Sequence, residues 1–183
     1  SAVGIYGAQV SDKIFTEEDQ AFEDFMGNCC KQWENAVDQF KPITRTVKFR
    51  LGVILDENHG ALPRITNMVK NSLGSPLGDG KQYMPWIHIE DAVNLFFEAI
   101  LKKNISGTFN AVSGDFIDNR NLIMKIGEEL NKKIWLPNVP SFVLKFLYGE
   151  MSDTILKGVK VSNKKIKAAG FQFKYEKIED ALR

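Results

Sequence analysis

Three side chains in the sequence suit proton transfer or nucleophilic chemistry, those of Tyr6, Cys30 and His88. A phenol can act as an acid or base, and a thiol becomes a nucleophile once it is deprotonated. His88 precedes Asp91 by three residues, and a carboxylate can orient a histidine that acts as a general base. Each side chain also has a structural interpretation, as a core residue or as a hydrogen-bond partner of a helix N-terminus. Tyr6 and Cys30 are our candidate catalytic residues, with both interpretations left open.

The composition argues against several classes of partner. Lys and Arg number 24 against 23 Asp and Glu, so the formal net charge of +1 offers little attraction to nucleic acid or to an anionic membrane. No apolar run approaches the roughly 18–20 residues that cross a bilayer, and no Cys or His spacing indicates a metal site. Cys29 and Cys30 are adjacent, which disfavours a structural disulfide and predicts a reduced, cytoplasmic setting. We expect a small-molecule substrate of unknown identity, and we leave homo-oligomer formation open.

The candidate residues must be positioned by alternating strands and helices. Polar and apolar residues alternate from Thr46 to Leu51 and continue as an apolar run to Leu55, which predicts a strand. Further strands are predicted at 86–89 and 107–112, whereas residues 1–17 are interpreted as a strand end and a polar loop. Helices are predicted at about 22–40, 61–73, 89–100, 118–130 and 162–169. This alternation favours an α/β fold with parallel pairing.

The first predicted helix and the glycines carry two further signals. The helix has one apolar stripe, formed by Phe22, Met26, Cys29, Trp33, Val37 and Phe40. A dinucleotide-binding fold opens with a strand, a glycine-rich turn and a helix, because only glycine lets the backbone approach the pyrophosphate there. Neither G-x-G-x-x-G nor G-x-x-G-x-x-G occurs in the sequence, and Gly74, Gly78 and Gly80 follow a predicted helix rather than a strand.

Four segments, in this order, resemble extended short-chain dehydrogenase/reductases of the NAD(P)-dependent epimerase type. They are Ser1–Gly7, Arg50–Leu55, Gly78–Asp91 and Phe109–Leu122. The closing part, from Leu136 to Phe171, resembles the subgroup labelled epimerase family proteins. The order and spacing of the segments carry the resemblance, which extends over essentially the whole chain.

The resemblance implies the C-terminal part of a Rossmann-like, doubly wound parallel sheet with a small, mainly helical substrate-side region. Residues 1–130 would belong to the NAD(P)-binding epimerase domain and residues 131–183 to a family-specific C-terminal region. Ser1 would lie near the end of the fifth strand of the parent fold, so we interpret the chain as a fragment. On its own, such a fragment is expected to be inactive.

The same resemblance implies a cofactor, NADP or NAD, and assigns residues to two sides of a site. The expected cofactor-side residues are Ser1, Arg50, Gly52 and Val53. The expected substrate-side residues are Gly78, Gln82, Trp86 and His88.

The resemblance also predicts that the usual chemistry is altered. The Tyr-x-x-x-Lys dyad of the superfamily falls on Met26 and Cys30, and neither a thioether nor a thiol can replace a phenolate held by an ammonium group. Lys31 lies about 100° further around the helix than Cys30, so it is a poor substitute for the missing lysine. The arginine that usually binds a diphosphate falls on Met84. The chain is therefore predicted to be the substrate-side portion of an NAD(P)-dependent epimerase or reductase with a degenerate dyad, or alternatively a non-catalytic NAD(P)-binding or regulatory module.

Overall fold

The computed structural model describes residues 1–183, in which strands and helices alternate along the chain. The strands are β1 (Val10–Phe15), β2 (Val47–Leu51), β3 (Val53–Leu55), β4 (Trp86–His88), β5 (Gly107–Ala111) and β6 (Gly158–Val161). The helices are α1 (Phe25–Asp38), α2 (Ala61–Lys70), α3 (Ile89–Leu101), α4 (Asn119–Glu129), α5 (Ser141–Tyr148), α6 (Ser152–Leu156), α7 (Lys164–Ala168) and α8 (Ile178–Ala181). Short 3₁₀ helices occupy Val3–Tyr6 and Gly149–Met151.

All strand pairs are parallel, which confirms the α/β class. β2 pairs with β5, β3 pairs with β4, and β1 pairs with β6. Parallel neighbours require a crossover between them, and helices provide those crossovers here. No helix combines the length and the apolarity that a membrane crossing needs.

The predicted strand from Thr46 to Leu55 is divided at Gly52. The amide of Gly52 donates to the Ala111 carbonyl at the end of β5, and the next amide, of Val53, donates to the Pro85 carbonyl before β4. The chain therefore changes its strand neighbour at this residue. A Cβ atom on Gly52 would lie 2.7 Å from the Pro85 carbonyl oxygen, so only glycine fits the crossing point.

Strand β1 corrects the prediction of a polar loop in residues 1–17. Its residues Ile14 and Phe15 pair with Lys160 and Val161 of β6. Phe15 is the only buried residue of the strand, so its sequence lacks the alternation of a half-buried strand. The strand forms because β6 supplies hydrogen-bond partners from a distant part of the chain.

Helix α1 forms where the sequence predicts it, but its apolar stripe lies outside the core. Trp33 is 59% exposed, and no residue of the stripe is buried. The buried face instead carries Gly27, Cys30 and Glu34. Glu34 can face inward because β2 presents cations to it, as described below, so apolar spacing misidentifies the inner face of this helix.

The starts of α3 and α4 agree with the sequence-based prediction more closely than the inner face of α1 does. Asp118 caps α4, as predicted, since its carboxylate accepts a hydrogen bond from the backbone N–H of Asn121 at 2.7 Å. His88 caps α3 through Nδ1, which accepts the backbone N–H of Glu90 at 3.3 Å. The structural interpretation of His88 as a partner of a helix N-terminus therefore matches its geometry.

Removing the cap of α4 provides a test of this local structure. We expect Asp118→Ala to lower the free energy of unfolding by about 1 kcal/mol, because the first amides of α4 lose their acceptor. Asp118→Ser, which keeps a capping oxygen, is the matched control and should retain most of the stability. Urea unfolding of the two variants measures the difference, and equal stability would contradict the capping role.

Candidate functional site

Two neighbouring side chains, one in the loop between α2 and β4 and one at the start of β4, each bury a polar atom that has no hydrogen-bond partner. The Nε2 group of Gln82 donates to the carbonyl oxygens of Leu77 and Ile155, each at 3.1 Å. These two bonds orient the amide, yet its Oε1 atom is buried and has no partner. Buried polar atoms almost always have a partner, so this oxygen marks a position where a donor is missing.

Trp86, at the start of β4, is the second such side chain. The residue is fully buried and packs in the cluster that contains Leu55 and Leu122. Its Nε1–H donor has no partner. Trp86 lines a cavity of about 10 Å³, which has room for about one water molecule. Tyr83 lines this cavity and also the larger groove beside it.

That groove has a volume of about 380 Å³ and lies between the loop, β1 and β6. Gln82 and Tyr83 line it from the loop, while Asp12 and Gly158 line it from the two strands. The sequence gives no sign that β1 contributes to this groove, because the segment lacks the alternation of apolar residues that indicates a strand. We call this space the Gln82 groove.

The other two predicted substrate-side residues have different positions. Gly78 shapes the loop with φ at +60°, and its amide donates to the Val139 carbonyl at 2.9 Å. His88 lies apart from the groove, with its ring 3.7 Å from that of Tyr175. The structure therefore brings Gln82 to the groove and Trp86 to the adjoining cavity, but it does not bring His88 there.

The four predicted cofactor-side residues meet at the end of β2. The Leu51 amide donates to the Ser1 carbonyl at 3.3 Å, which holds the first residues beside Gly52 and Val53. Ser1 is exposed and Val53 is half-buried. Arg50 is buried, with only 7% of its surface exposed. The four predicted cofactor-side residues therefore lie close together, and Arg50 is the buried one among them.

Arg50 is the centre of a buried polar network. Its Nε lies 2.8 Å from Glu34 Oε1, and one Nη atom lies 3.1 Å from Glu34 Oε2. The other Nη donates to the Tyr6 hydroxyl at 2.9 Å. Lys48 adds a second cation, with its ammonium group 3.5 Å from Glu34 Oε2. Burial by itself would raise the pKa of Glu34, but the hydrogen bond and charge of Arg50, together with the Ser1 hydrogen bond and the Lys48 charge, outweigh it and hold that pKa below its usual value.

The candidate catalytic residues Tyr6 and Cys30 are both fully buried. The Tyr6 hydroxyl accepts the Arg50 bond and lies 2.6 Å from Asn110 Oδ1 and 2.9 Å from the Thr16 carbonyl. Burial raises the pKa of the Tyr6 phenol and of the Cys30 thiol, which keeps both groups protonated at neutral pH. These positions favour structural roles over contact with a ligand.

A second polar centre, which the sequence did not reveal, holds the C-terminal segment against α3. Asp91 is 1% exposed, and its two carboxylate oxygens accept the backbone N–H groups of Lys174 at 2.9 Å and Tyr175 at 3.0 Å. Exposed Glu90 adds contacts with the side chains of the same two residues. Asp91 is therefore the buried anchor of the segment, rather than the orienting partner of His88.

Comparison with known proteins gives a consistent family. Residues 139–183 match the model of a domain of unknown function, DUF1731. The chain is 34% identical over 183 residues to the chloroplastic epimerase family protein SDR39U1 homolog of Arabidopsis thaliana, covering 100% of this chain and 52% of that protein. It is 38% identical to the epimerase family protein YfhF of Bacillus subtilis, covering 100% of this chain and 60% of the relative. The chain thus spans between half and two thirds of the length of these relatives.

A solved structure agrees with these matches. The human epimerase family protein SDR39U1 (isoform 2), crystallised with NADPH, superposes with a TM-score of 0.92 at 29% identity, over 100% of this chain and 62% of that chain. The nucleoside-diphosphate sugar epimerase of Corynebacterium glutamicum superposes with a TM-score of 0.77 at 27% identity, over 100% of this chain and 35% of that chain. The expected Rossmann-like fold is confirmed by these superpositions. The chain is therefore similar over its whole length to the C-terminal part of epimerase family proteins, and it has the corresponding part of their Rossmann-like fold.

Proposed function

We propose that this chain forms the substrate side and the nicotinamide-side wall of a protein that binds NADPH and does not use a Tyr-x-x-x-Lys dyad. The observation that carries the proposal is the superposition of the whole chain on a relative that was crystallised with NADPH. A nicotinamide cofactor supplies or accepts a hydride. The contribution of this chain would be to hold the cofactor and the substrate side by side.

Among the cofactor-side residues, Ser1 and Val53 suit contact with the nicotinamide, whereas Arg50 does not suit contact with a phosphate. Ser1 and Val53 have accessible surface at the end of β2, where uncharged side chains suit contact with a nicotinamide ring. Glu34, Tyr6 and a weak contact at 3.5 Å to the Glu17 carbonyl engage four of the five N–H groups of Arg50, and the residue is only 7% exposed, so the guanidinium is poorly available to a phosphate group. We therefore assign Arg50 the role of positioning β2, and we assign no phosphate contact to it.

The degenerate dyad is the second part of the proposal. Met26 and Cys30 occupy neighbouring turns of α1 and face Gly4, since a Cβ atom built on Gly4 would lie 3.1 Å from Met26 Cε and 3.8 Å from Cys30 Sγ. A thioether cannot exchange a proton, and the pKa of the Cys30 thiol is raised. Any proton transfer would need a different group or water.

A non-catalytic NADPH-binding or regulatory module is the alternative. The observation that favours it is the burial of both candidate acid–base residues, Tyr6 and Cys30, within hydrogen-bonded or packed surroundings. In this alternative the protein keeps the fold and the Gln82 groove, and its function is to bind a ligand rather than to catalyse a reaction.

Cofactor titration of the full-length protein tests the proposal. We expect saturable quenching of protein fluorescence by NADPH, since the relative with the same fold binds it. A parallel titration with NADH measures the preference between the two cofactors. If neither NADPH nor NADH shows saturable binding, the proposed function is contradicted.

Two variants then separate the catalytic version from the alternative. Carbonyl substrates are screened with NADPH, and any turnover is measured again in Tyr6→Phe and Cys30→Ala. We expect turnover, where present, to survive Cys30→Ala, because a protonated buried thiol contributes no chemistry. A folded Cys30→Ala variant that binds NADPH but has lost turnover would make Cys30 a catalytic residue. Absence of turnover with intact NADPH binding would favour the regulatory module.

A further inference from the structure

Helix α5 is far more apolar than its exposed position explains. Six of its eight residues are aliphatic or aromatic, and a helix that is apolar on all sides is normally buried. Here Leu144 is the only buried residue, and α5 contributes no residue to the three clusters of apolar side chains that form the core. Its exposed apolar side chains are those of Phe142, Phe146, Leu147 and Tyr148. The helix therefore presents apolar surface that the resting structure does not use.

The chain segments on both sides of α5 are fixed to the loop between α2 and β4. Before the helix, the Val139 amide donates to the Pro76 carbonyl at 2.8 Å, and the Val139 carbonyl accepts the Gly78 amide at 2.9 Å. After the helix, the Ile155 carbonyl accepts a hydrogen bond from Gln82 Nε2 at 3.1 Å. Gly78 and Gln82 are two of the expected substrate-side residues, so α5 leaves the substrate side and returns to it.

Between these fixed points the helix itself is held loosely. It begins after Pro140, and no side chain caps its first N–H groups. It ends at Gly149, whose φ of +56° and ψ of −134° form a combination that glycine adopts far more readily than other residues. A Cβ atom on Gly149 would meet no atom within 4 Å, so the position needs glycine for its backbone conformation and not for space. A segment with so few buried contacts moves at a low cost in free energy.

We propose that α5 is a lid, which rotates about its two fixed ends and closes over the substrate side when NADPH is bound. The inference rests on the proposed function for the location of that side, and it adds a conformational change to it. In the closed position Phe142 and Phe146, one turn apart on the helix, exclude water from the bound nicotinamide. A helix that stayed exposed would not need these side chains, and a permanently buried one would not need the joint at Gly149.

Hydrogen exchange of the full-length protein, with and without saturating NADPH, tests the lid. Without NADPH we expect the amides of α5 to exchange at least about tenfold faster than those of α4, and with NADPH we expect them to slow by about tenfold. Fast exchange that NADPH does not change would overturn the inference. Slow exchange already present without NADPH would overturn it too, because the helix would then be covered permanently by another part of the protein or by a second copy. Fluorescence in the same samples reports NADPH binding, so failure of the proposed function is recognised separately.

A pair of phenylalanine variants completes the test. Phe146→Ser removes apolar surface from the lid without disturbing the core, because this side chain is 89% exposed. We expect the Kd for NADPH to rise about threefold to tenfold and the protection of α5 by NADPH to weaken, since closure no longer buries the ring. Phe97→Ser on α3, where the side chain is 60% exposed, is the matched control and should change neither quantity. Unchanged affinity and protection in Phe146→Ser, or an equal effect in Phe97→Ser, would show that α5 does not close over the ligand.

Discussion

Glu34→Gln is expected to lower the free energy of unfolding by about 3–5 kcal/mol, because removing one partner of a buried ion pair leaves the other charge uncompensated. Arg50 and Lys48 are 7% and 8% exposed, and Glu34 is the carboxylate that faces both of them. Glutamine keeps the size and one acceptor oxygen but removes the charge. Urea unfolding of the full-length protein measures the loss, and Glu129→Gln, at an exposed position, is the matched control with an expected change below about 0.5 kcal/mol.

Acid titration gives the same prediction an independent check. Burial raises the pKa of Glu34, but Arg50, with Ser1 and Lys48, outweighs that effect and holds the pKa below its ordinary value of 4.5 in the folded protein. A carboxyl group with a depressed folded pKa contributes stability above its ordinary pKa, and that contribution is lost as the pH falls through the folded pKa. The stability difference between wild type and Glu34→Gln should therefore shrink in acid. A difference that stays constant down to the acid transition, or one below about 1 kcal/mol at neutral pH, would contradict the role of the pair.

Asp91→Ala is expected to cost about 2–4 kcal/mol and to release the C-terminal segment, because the carboxylate accepts two backbone N–H groups from residues 83 and 84 positions later in the chain. Hydrogen exchange should show the effect where it arises. The amides of Lys174 and Tyr175 should lose protection by a larger factor than those in β2 and β5.

Glu90→Gln is the matched control for Asp91. Glu90 contacts the side chains of Lys174 and Tyr175 at the surface, where such pairs contribute about 0–1 kcal/mol. Unchanged exchange at Lys174 and Tyr175 in Asp91→Ala, or an equal effect in Glu90→Gln, would show that the backbone contacts of Asp91 do not anchor the segment.

Several elements of the fold could be predicted because their causes are local. The start of α4 depends on one carboxylate and an amide three residues away, and the sequence shows both. The periodicity of apolar residues likewise predicted the helix that became α3, but not which of its faces is buried. Strand β5 was predicted within one residue of its end.

The errors occurred where the cause lies elsewhere in the chain. Strand β1 depends on β6, and its own residues bury only Phe15. The inner face of α1 depends on cations from β2, so Glu34 is buried while Trp33 is 59% exposed. The spacing of apolar residues identifies an apolar helix face, but it cannot identify a charged residue that is buried because a residue on another element neutralises it.

The candidate site shows the same division. The resemblance selected Gln82 and Trp86 as substrate-side residues, and the structure shows an unsatisfied polar atom on each of them. It also selected Arg50 for the cofactor side, where the structure shows a guanidinium already committed to Glu34 and Tyr6. The sequence shows that residue 50 is an arginine, but it does not show whether the N–H donors of that arginine are available to a ligand.

By itself the sequence determined the alternation of strands and helices, the cap at Asp118 and the resemblance to epimerase family proteins. Only the tertiary structure decided which polar groups are satisfied and which lack a hydrogen-bond partner. The Tyr6 hydroxyl is satisfied because Asn110, 104 residues away, and Arg50 contact it, while the buried Gln82 Oε1 has no partner because no element supplies a donor. Local pattern encodes backbone conformation, whereas hydrogen-bond satisfaction depends on partners that only folding brings together.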